Sequence, residues 1–303
     1  AHPADDTAYV YRILHSGRAA LMNAVQWWPT MHMHLDARAV TDRAIDAFLD
    51  TWDRVRPRLL VGYAQGLADV AERIVASGRL VASPLVVSST ASVLQPGQRA
   101  LIERAFGARV VDTYRSAEIP WMASECSAHA GLHIPIDHRR IDIVDDAAAP
   151  VIDGRLGRLL VTDFSNRVAP LVRYDIGDRS RTIAGDCPCG RTLPRIAAVE
   201  GRVADVLRTP SGLRITGGLS ALLLSAGTTI RQMQIVQHAD WSVAVHYVVD
   251  AGADAADALV AADRAVAELT GRLRGEVPVS ARRVERVEAL GGKARLVVSE
   301  LSA

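Results

Sequence analysis

Lysine is almost missing from this chain: its 303 residues hold 34 arginines and a single lysine, Lys293. Either cation keeps an exposed surface soluble, so the skew by itself excludes no fold. A lone lysine has two readings, chance survival or a position that needs a compact ammonium on a flexible stem where a planar guanidinium cannot serve. An excess of charge of either sign is missing too, and a formal net charge of +1 excludes a nucleic-acid partner bound by neutralising many phosphates. Cysteines number three, an odd count too small for a disulfide framework, which leaves thiolates or core packing as their use. Apolar stretches such as Leu219 to Ala226 are far shorter than the roughly 20 residues of a membrane span. With no basic-then-apolar leader opening the chain, the expected location is cytoplasmic, with no membrane partner.

What is present describes a globular protein, 49% apolar and 23% charged. The length suggests roughly two domains. Helical periods alternate with short β-branched runs through the first two thirds, the mark of an α/β layer architecture. Arg38 to Arg56 reads as an amphipathic helix ended by Pro57, and Leu59 to Tyr63 as a strand. Gly66 to Ser77 is a helix, Pro84 to Ser88 a strand, Pro96 to Phe106 a helix and Ala108 to Thr113 a strand. Ligands of such sheets bind beyond the carboxyl ends of strands, which singles out Ser88 to Ser92 and Thr113 to Glu118. From Ile134 to Ile183 the pattern turns β-rich, with strands at Arg140 to Val144, Leu159 to Thr162 and Pro170 to Tyr174. After Gly201-Arg202 a compact α+β unit begins, with strands at Gln232 to His238, Ser242 to Val249 and Val277 to Val287 and a helix from Asp254 to Arg274. The fold class is therefore α/β: a large mixed domain with a β-rich subdomain over residues 1–201, then a small mobile α+β domain over residues 202–303.

The cysteines are not scattered. Cys187-Pro188-Cys189-Gly190 is a tight turn that can aim two thiolates at one point, and Cys126 shares a short segment with His129 and His133. Together they offer a closed Cys3His set for a structural zinc ion. His133 is preferred because it starts a strand that fixes its direction. The alternative is three cysteines buried as small apolar residues.

Three further places carry candidate chemistry. Tyr114 and Glu118 follow a strand, with Asp112 just before them; a tyrosine there can stack on a base and a carboxylate can hold a divalent ion beside phosphates, although surface Glu and half-buried Tyr are common. Two aspartates, Asp175 and Asp178, flank Gly177 after an apolar run, and a carboxylate so placed accepts both hydroxyl hydrogens of a ribose or else closes a polar hairpin turn. Gly291-Gly292 permits a sharp turn that projects Lys293, where its charge would stabilise a developing phosphate charge. Met31 to His34 alternates like a packed strand, and Trp27-Trp28-Pro29 reads as cover for a core edge.

Taken in order, Val61-Gly62-Tyr63, Tyr114 to Glu118, Glu125-Cys126 with Leu132-His133-Ile134, Gly157 to Thr162, Pro170 to Asp178, Cys187 to Arg191, Gly201-Arg202 and Gly292-Lys293 resemble the phenylacetate-CoA ligase branch of the adenylate-forming enzymes, which includes capsule-biosynthesis relatives. The resemblance covers nearly the whole chain from about Asp36 onward. It implies an enzyme that joins a small, aromatic carboxylic acid to ATP, giving an acyl-adenylate, and passes the acyl group to coenzyme A or another acceptor. On that resemblance Glu118 holds Mg2+, while Tyr114, Asp112, Thr90, Asp178 and Arg202 bind ATP and AMP, Asp178 through the ribose and Arg202 at the hinge. Tyr63 and Ser116 border the acid, Lys293 bridges the carboxylate and the α-phosphate, and Cys126, His133, Cys187 and Cys189 hold Zn2+. A homodimer is compatible with it.

The sequence departs from the branch in three places. The Ser/Thr/Gly-rich phosphate loop of the relatives does not occur in these residues, nor does a G-x-x-x-x-G-K-[ST] substitute. Ser92 stands where a glutamate is usual, in the adenine-loop position. Arg115 replaces the glycine after the tyrosine, and Ala204 falls where a hinge aspartate is common, with Asp205 beside it. A non-catalytic nucleotide or acyl-adenylate binder of the same fold is the alternative these departures leave open.

Overall fold

The computed structural model describes residues 5–11, 18–37, 40–152, 154–200, 206–216, 219, 222, 227–290 and 293–301. The chain divides into two compact units, Ala1–Val111 with Glu288–Arg295, and Asp112–Val287 with Leu296–Ala303.

The first unit alternates strands and helices: β1 (Thr7–Tyr11), α1 (Arg18–Gln26), β2 (His32–Asp36), α2 (Asp42–Val55), β3 (Leu59–Tyr63), α3 (Ala64–Ser77), β4 (Val86–Thr90), α4 (Pro96–Phe106) and the start of β5 (Val110–Tyr114). Strands β2, β1, β3 and β4 lie side by side in that order, all parallel. Of these β3 is a nearly continuous apolar run, whereas β2 alternates buried Met33 and Leu35 with exposed His34. Ala8, Val10, Met33, Leu35, Leu60 and Val87 enter one core with side chains of α2, α3 and α4. Helix α2 shows why these segments settle as they do. Thr41 caps it by accepting the Ala44 N–H at 3.3 Å, Ile45, Phe48, Leu49 and Trp52 recur at helical spacing and are buried, and Arg56 ends it in the left-handed region. The cap sets the start at Asp42, inside the expected Arg38. Trp52 is fully buried, packs against Phe48 and Phe106 and donates its indole N–H to the Ala82 carbonyl at 3.0 Å. Gly62 is required by a close approach, since a Cβ there would lie 2.8 Å from the Leu67 side chain.

The second unit is β-rich. A meander of β5, β6 (Ala123–Glu125), β7 (Leu132–His133), β12 (Arg195–Ile196) and β11 (Thr182–Ile183) pairs antiparallel in that order. Strands β8 (Arg139–Val144), β9 (Gly157–Asp163) and β10 (Tyr174–Ser180) form an antiparallel sheet with β9 central. Buried Arg139 and Asp163 pair across it, and the Ser165 hydroxyl joins them. Further along, β13 (Val206–Arg208) and β14 (Arg214–Thr216) make a hairpin. Strands β15 (Ile230–Gln237) and β16 (Val243–Val249), helix α5 (Ala255–Arg272), strand β17 (Val279–Arg283) and the later β20 (Val297–Ser299) build a four-stranded sheet, β17-β16-β15-β20, around its own core of Leu207, Ile235, Val245, Ala262 and Leu269. Between β17 and β20 the chain forms the hairpin β18 (Ala289–Leu290) and β19 (Lys293–Ala294), which is counted with the first unit.

Three expectations need correction. The strand placed at Pro170 to Tyr174 begins only at Tyr174: Arg173 takes a φ of 48° and gives its N–H to the Thr162 hydroxyl, and Val172 is exposed. The final expected strand, Val277 to Val287, contracts to β17. Trp28 covers no core edge, being 81% exposed; of Met31 to His34 only Met33 enters the core, while Met31 is exposed and exposed His34 stacks on Tyr9 at 5.1 Å. Replacing Trp52 by alanine is expected to cost about 3–5 kcal/mol. Urea unfolding reads this as a lower midpoint at unchanged slope, and a midpoint equal to the parent's would overturn the packing account.

Candidate functional site

In the second unit the three cysteines converge. Cys126 follows β6, His133 ends β7, and Cys187 and Cys189 lie in the loop from β11 to β12. Their ligand atoms all fall within 4.8 Å of one another. The Cys126 and Cys187 sulfurs are 3.6 Å apart, and the Cys189 sulfur is 3.6 Å from His133 Nε2. Those separations are too long for a disulfide, whose sulfurs sit about 2.05 Å apart. They match the edges of a tetrahedron drawn around zinc at roughly 2.3 Å from sulfur and 2.0 Å from nitrogen. Cys126, Cys187 and His133 are buried, and Cys189 is half-buried.

Each cysteine loop closes with one device. The Cys126 carbonyl accepts the His129 N–H at 3.1 Å and the Cys187 carbonyl accepts the Gly190 N–H at 2.9 Å. His129 and Gly190, the closing residues, both lie in the left-handed region, with φ of 49° and 81°. Buried Arg195 then ties the two loops together, donating to the Ala130 carbonyl at 2.6 Å and to the Gly185 carbonyl at 2.9 Å. His129, the other candidate imidazole, is bonded to Glu125 at 3.1 Å, and that carboxylate also accepts the Asp112 N–H at 2.9 Å. The His133 ring is set by its strand, which pairs with Ser124 on one side and Arg195 on the other. Its Nδ1 is buried without a hydrogen-bond partner among the described residues.

Electrostatics divides the sulfurs. The Arg191 backbone N–H, aided by its guanidinium and the neighbouring thiols, holds Cys189 down to about 6 against burial. Cys187 receives the Cys189 backbone N–H, yet burial and the adjacent sulfurs outweigh it and push that thiol up. A metal cation bound among these sulfurs would stabilise all three as thiolates.

A second constellation joins two expected nucleotide residues. The Tyr114 hydroxyl donates to Asp178 Oδ2 at 2.7 Å, although 64 residues separate them in sequence. Asp178 is buried in β10, and Tyr114 is half-buried at the end of β5. Asp175, the other aspartate beside Gly177, is instead paired with Arg158. Ser116 and Glu118 share the turn after β5, which closes through mutual 3.0 Å bonds between Ser116 and Ile119; Glu118 is exposed.

The remaining candidates lie elsewhere. In the first unit Tyr63 and Thr90 are register partners at the carboxyl ends of β3 and β4. Tyr63 is buried with its ring 4.5 Å from that of Tyr11, and the Thr90 hydroxyl is buried without a hydrogen-bond partner among the described residues. Lys293 pairs through its backbone with Leu290. Gly201, Arg202, Ala204, Asp205, Gly291 and Gly292 lie outside the described residues.

Sequence reasoning missed Arg195 and Glu125, which hold the loops without being ligands. One arginine among 34 carries no signal, whereas an acidic residue directly before Cys126 was visible. Arg195→Ala is expected to cost roughly 2–4 kcal/mol, because buried carbonyls lose their donors. Chemical denaturation checks this, and Arg195→Lys should recover little, since one ammonium cannot replace the fork; full recovery would overturn the bridging role.

No family model matches the chain. It is 30% identical over 142 residues to the phenylacetate-coenzyme A ligase of Thermus thermophilus, covering 46% of this chain and 32% of that protein. It is 23% identical over 235 residues to protein CapK of Staphylococcus aureus, covering 75% of this chain and 49% of CapK. The chain thus spans about a third to a half of the length of these curated relatives. Among solved structures, 2-hydroxyisobutyryl-CoA ligase in the postadenylation state superposes with a TM-score of 0.71 at 19% identity, covering 99% of this chain and 66% of that one. In sequence over part of its length and in fold over nearly all of it, this chain is similar to the phenylacetate-CoA ligase-like branch of the adenylate-forming enzymes.

Proposed function

We propose that the chain acts in an AMP-forming acid-CoA ligase: it activates a small carboxylic acid, aromatic by analogy, with ATP and then forms a thioester with coenzyme A. The observation that carries this is the hydrogen-bonded pair Tyr114 and Asp178, two positions that the resemblance assigns to one nucleotide. The fold likeness to CoA ligases supports it.

In the first half-reaction the acid's carboxylate oxygen attacks the α-phosphorus of ATP and pyrophosphate leaves. The roles follow from charge. Asp178 accepts from the ribose hydroxyls and Tyr114 borders the base. Asp112 and Thr90 complete the nucleotide contacts, and Tyr63 and Ser116 border the acid. Mg2+ held by Glu118 would neutralise phosphate charge, and the Lys293 ammonium would stabilise the negative charge gathering on the α-phosphate. In the second half-reaction the thiolate of coenzyme A attacks the acyl carbon and AMP leaves. Residues 202–303 would move as a domain about Arg202 to withdraw the lysine.

The four-residue cluster is assigned to structural zinc, because a closed Cys3His set leaves no position for substrate. Soluble placement in the cytoplasm, without nucleic-acid or membrane partners, accords with the balanced charge, and no described helix is long and apolar enough to cross a membrane. A non-catalytic adenylate binder of the same fold is the second reading, favoured by Ser92 and Arg115 standing where the branch has a glutamate and a glycine.

ATP–pyrophosphate exchange with a panel of acids tests the main reading, and no exchange with any acid on the longest gene product would sink it. Lys293→Ala should lower exchange by two or more orders of magnitude while leaving AMP affinity within about threefold; unchanged exchange removes the lysine from the mechanism. Elemental analysis should find one zinc per chain, lost in Cys187→Ser, and a metal-free protein of parental stability would overturn the zinc assignment.

A further inference from the structure

We infer that Tyr114 is a positioning residue that acts on the ribose through Asp178, beyond any part it takes in bordering the base; this rests on the nucleotide reading above. Three observations lead there. The Tyr114 hydroxyl donates to Asp178 Oδ2 at 2.7 Å, so one carboxylate oxygen is engaged before any ligand arrives. The tyrosine ring is itself held, packed beside Ile119, Met122 and Val161, which are fully buried. Its backbone is fixed as well, since its carbonyl accepts the Met122 N–H at 3.0 Å.

The strand that carries Asp178 is shaped to present it. Pairing of β10 with β9 slips between Asp175 and Arg179, and Gly177 at the slip has a φ of 77°, with its N–H given to Asp175 Oδ1 at 3.0 Å. A bulge of this kind re-aims the side chain that follows it. Asp175 is bound to Arg158 on the exposed side, and Asp178 is buried against the tyrosine. The two carboxylates therefore have separate tasks, one closing the turn and one held for a partner.

A carboxylate that must accept two adjacent hydroxyl hydrogens has to keep its plane and rotamer. A hydroxyl donating to Oδ2 supplies that restraint. Holding the geometry in advance removes an ordering cost from nucleotide binding. In Tyr114→Phe the ring and its packing stay while the restraint goes, so the loss should appear only with ligands that bear ribose hydroxyls.

Calorimetric titration of the full chain with AMP and with 2′,3′-dideoxy-AMP tests this. The parent should bind AMP more tightly than the dideoxy analogue. Tyr114→Phe should weaken AMP roughly tenfold and leave the analogue within about twofold, so that the preference collapses. Asp178→Ala should abolish the same preference, and Tyr114→Phe added to it should produce no further loss. Equal weakening of both ligands, or of neither, in Tyr114→Phe would overturn the positioning role while leaving nucleotide binding intact. A parent that binds neither ligand overturns the nucleotide reading and this inference with it.

Discussion

Three sulfurs and an imidazole held within 4.8 Å of one another are the constraint around which the β-rich unit is arranged. Once thiolates form among four such groups they repel, and a positive charge in their midst would offset that repulsion. The local fold is organised to bear that demand. Two loops close with matching carbonyl-to-amide turns, a strand fixes the histidine, and one buried guanidinium spans both loops. The strands β6, β7, β11 and β12 are two or three residues long, too short to hold a register by ladder bonds alone. Side-chain chemistry at their ends supplies what the ladder lacks.

Much of the fold was legible in sequence because its signals are local. Ile45, Phe48, Leu49 and Trp52 announce a helix by spacing, and the helix Pro96 to Phe106 lies where its proline and final glycine put it. The errors have a common cause. Leu171 and Val172 look like strand, yet Arg173 adopts a left-handed φ dictated by a bond to Thr162, a partner that no local pattern reveals. The convergence of the cysteines with His133 was legible for a different reason, since it uses every cysteine in the chain and rare residues make spacing informative.

The pairing of Tyr114 with Asp178 was readable only in part. Tyr114 and Asp178 were each picked from their own segments, but the bond between them joins residues 64 apart. Spacing alone did not separate Asp175 from Asp178, the resemblance chose Asp178, and the paired strands show Arg158 bound to Asp175. Arginine's abundance hid Arg195 and Arg158 alike, whereas the scarcity of lysine drew attention to Lys293. Rarity was the more useful signal for the cysteines, whose side chains the fold brings together.

The slip in pairing at Gly177 has a consequence for how this segment can change over time. Side chains alternate faces along a strand, so the spacing between Asp175 and Asp178 decides which carboxylate turns inward. Substitutions that respect Gly177 leave that spacing intact. Deletion or insertion of one residue between the aspartates would reverse the facing of everything beyond it, turning the buried carboxylate outward. This stretch is therefore tolerant in composition at its exposed positions and intolerant in length, and related chains that share the site should align through it without gaps.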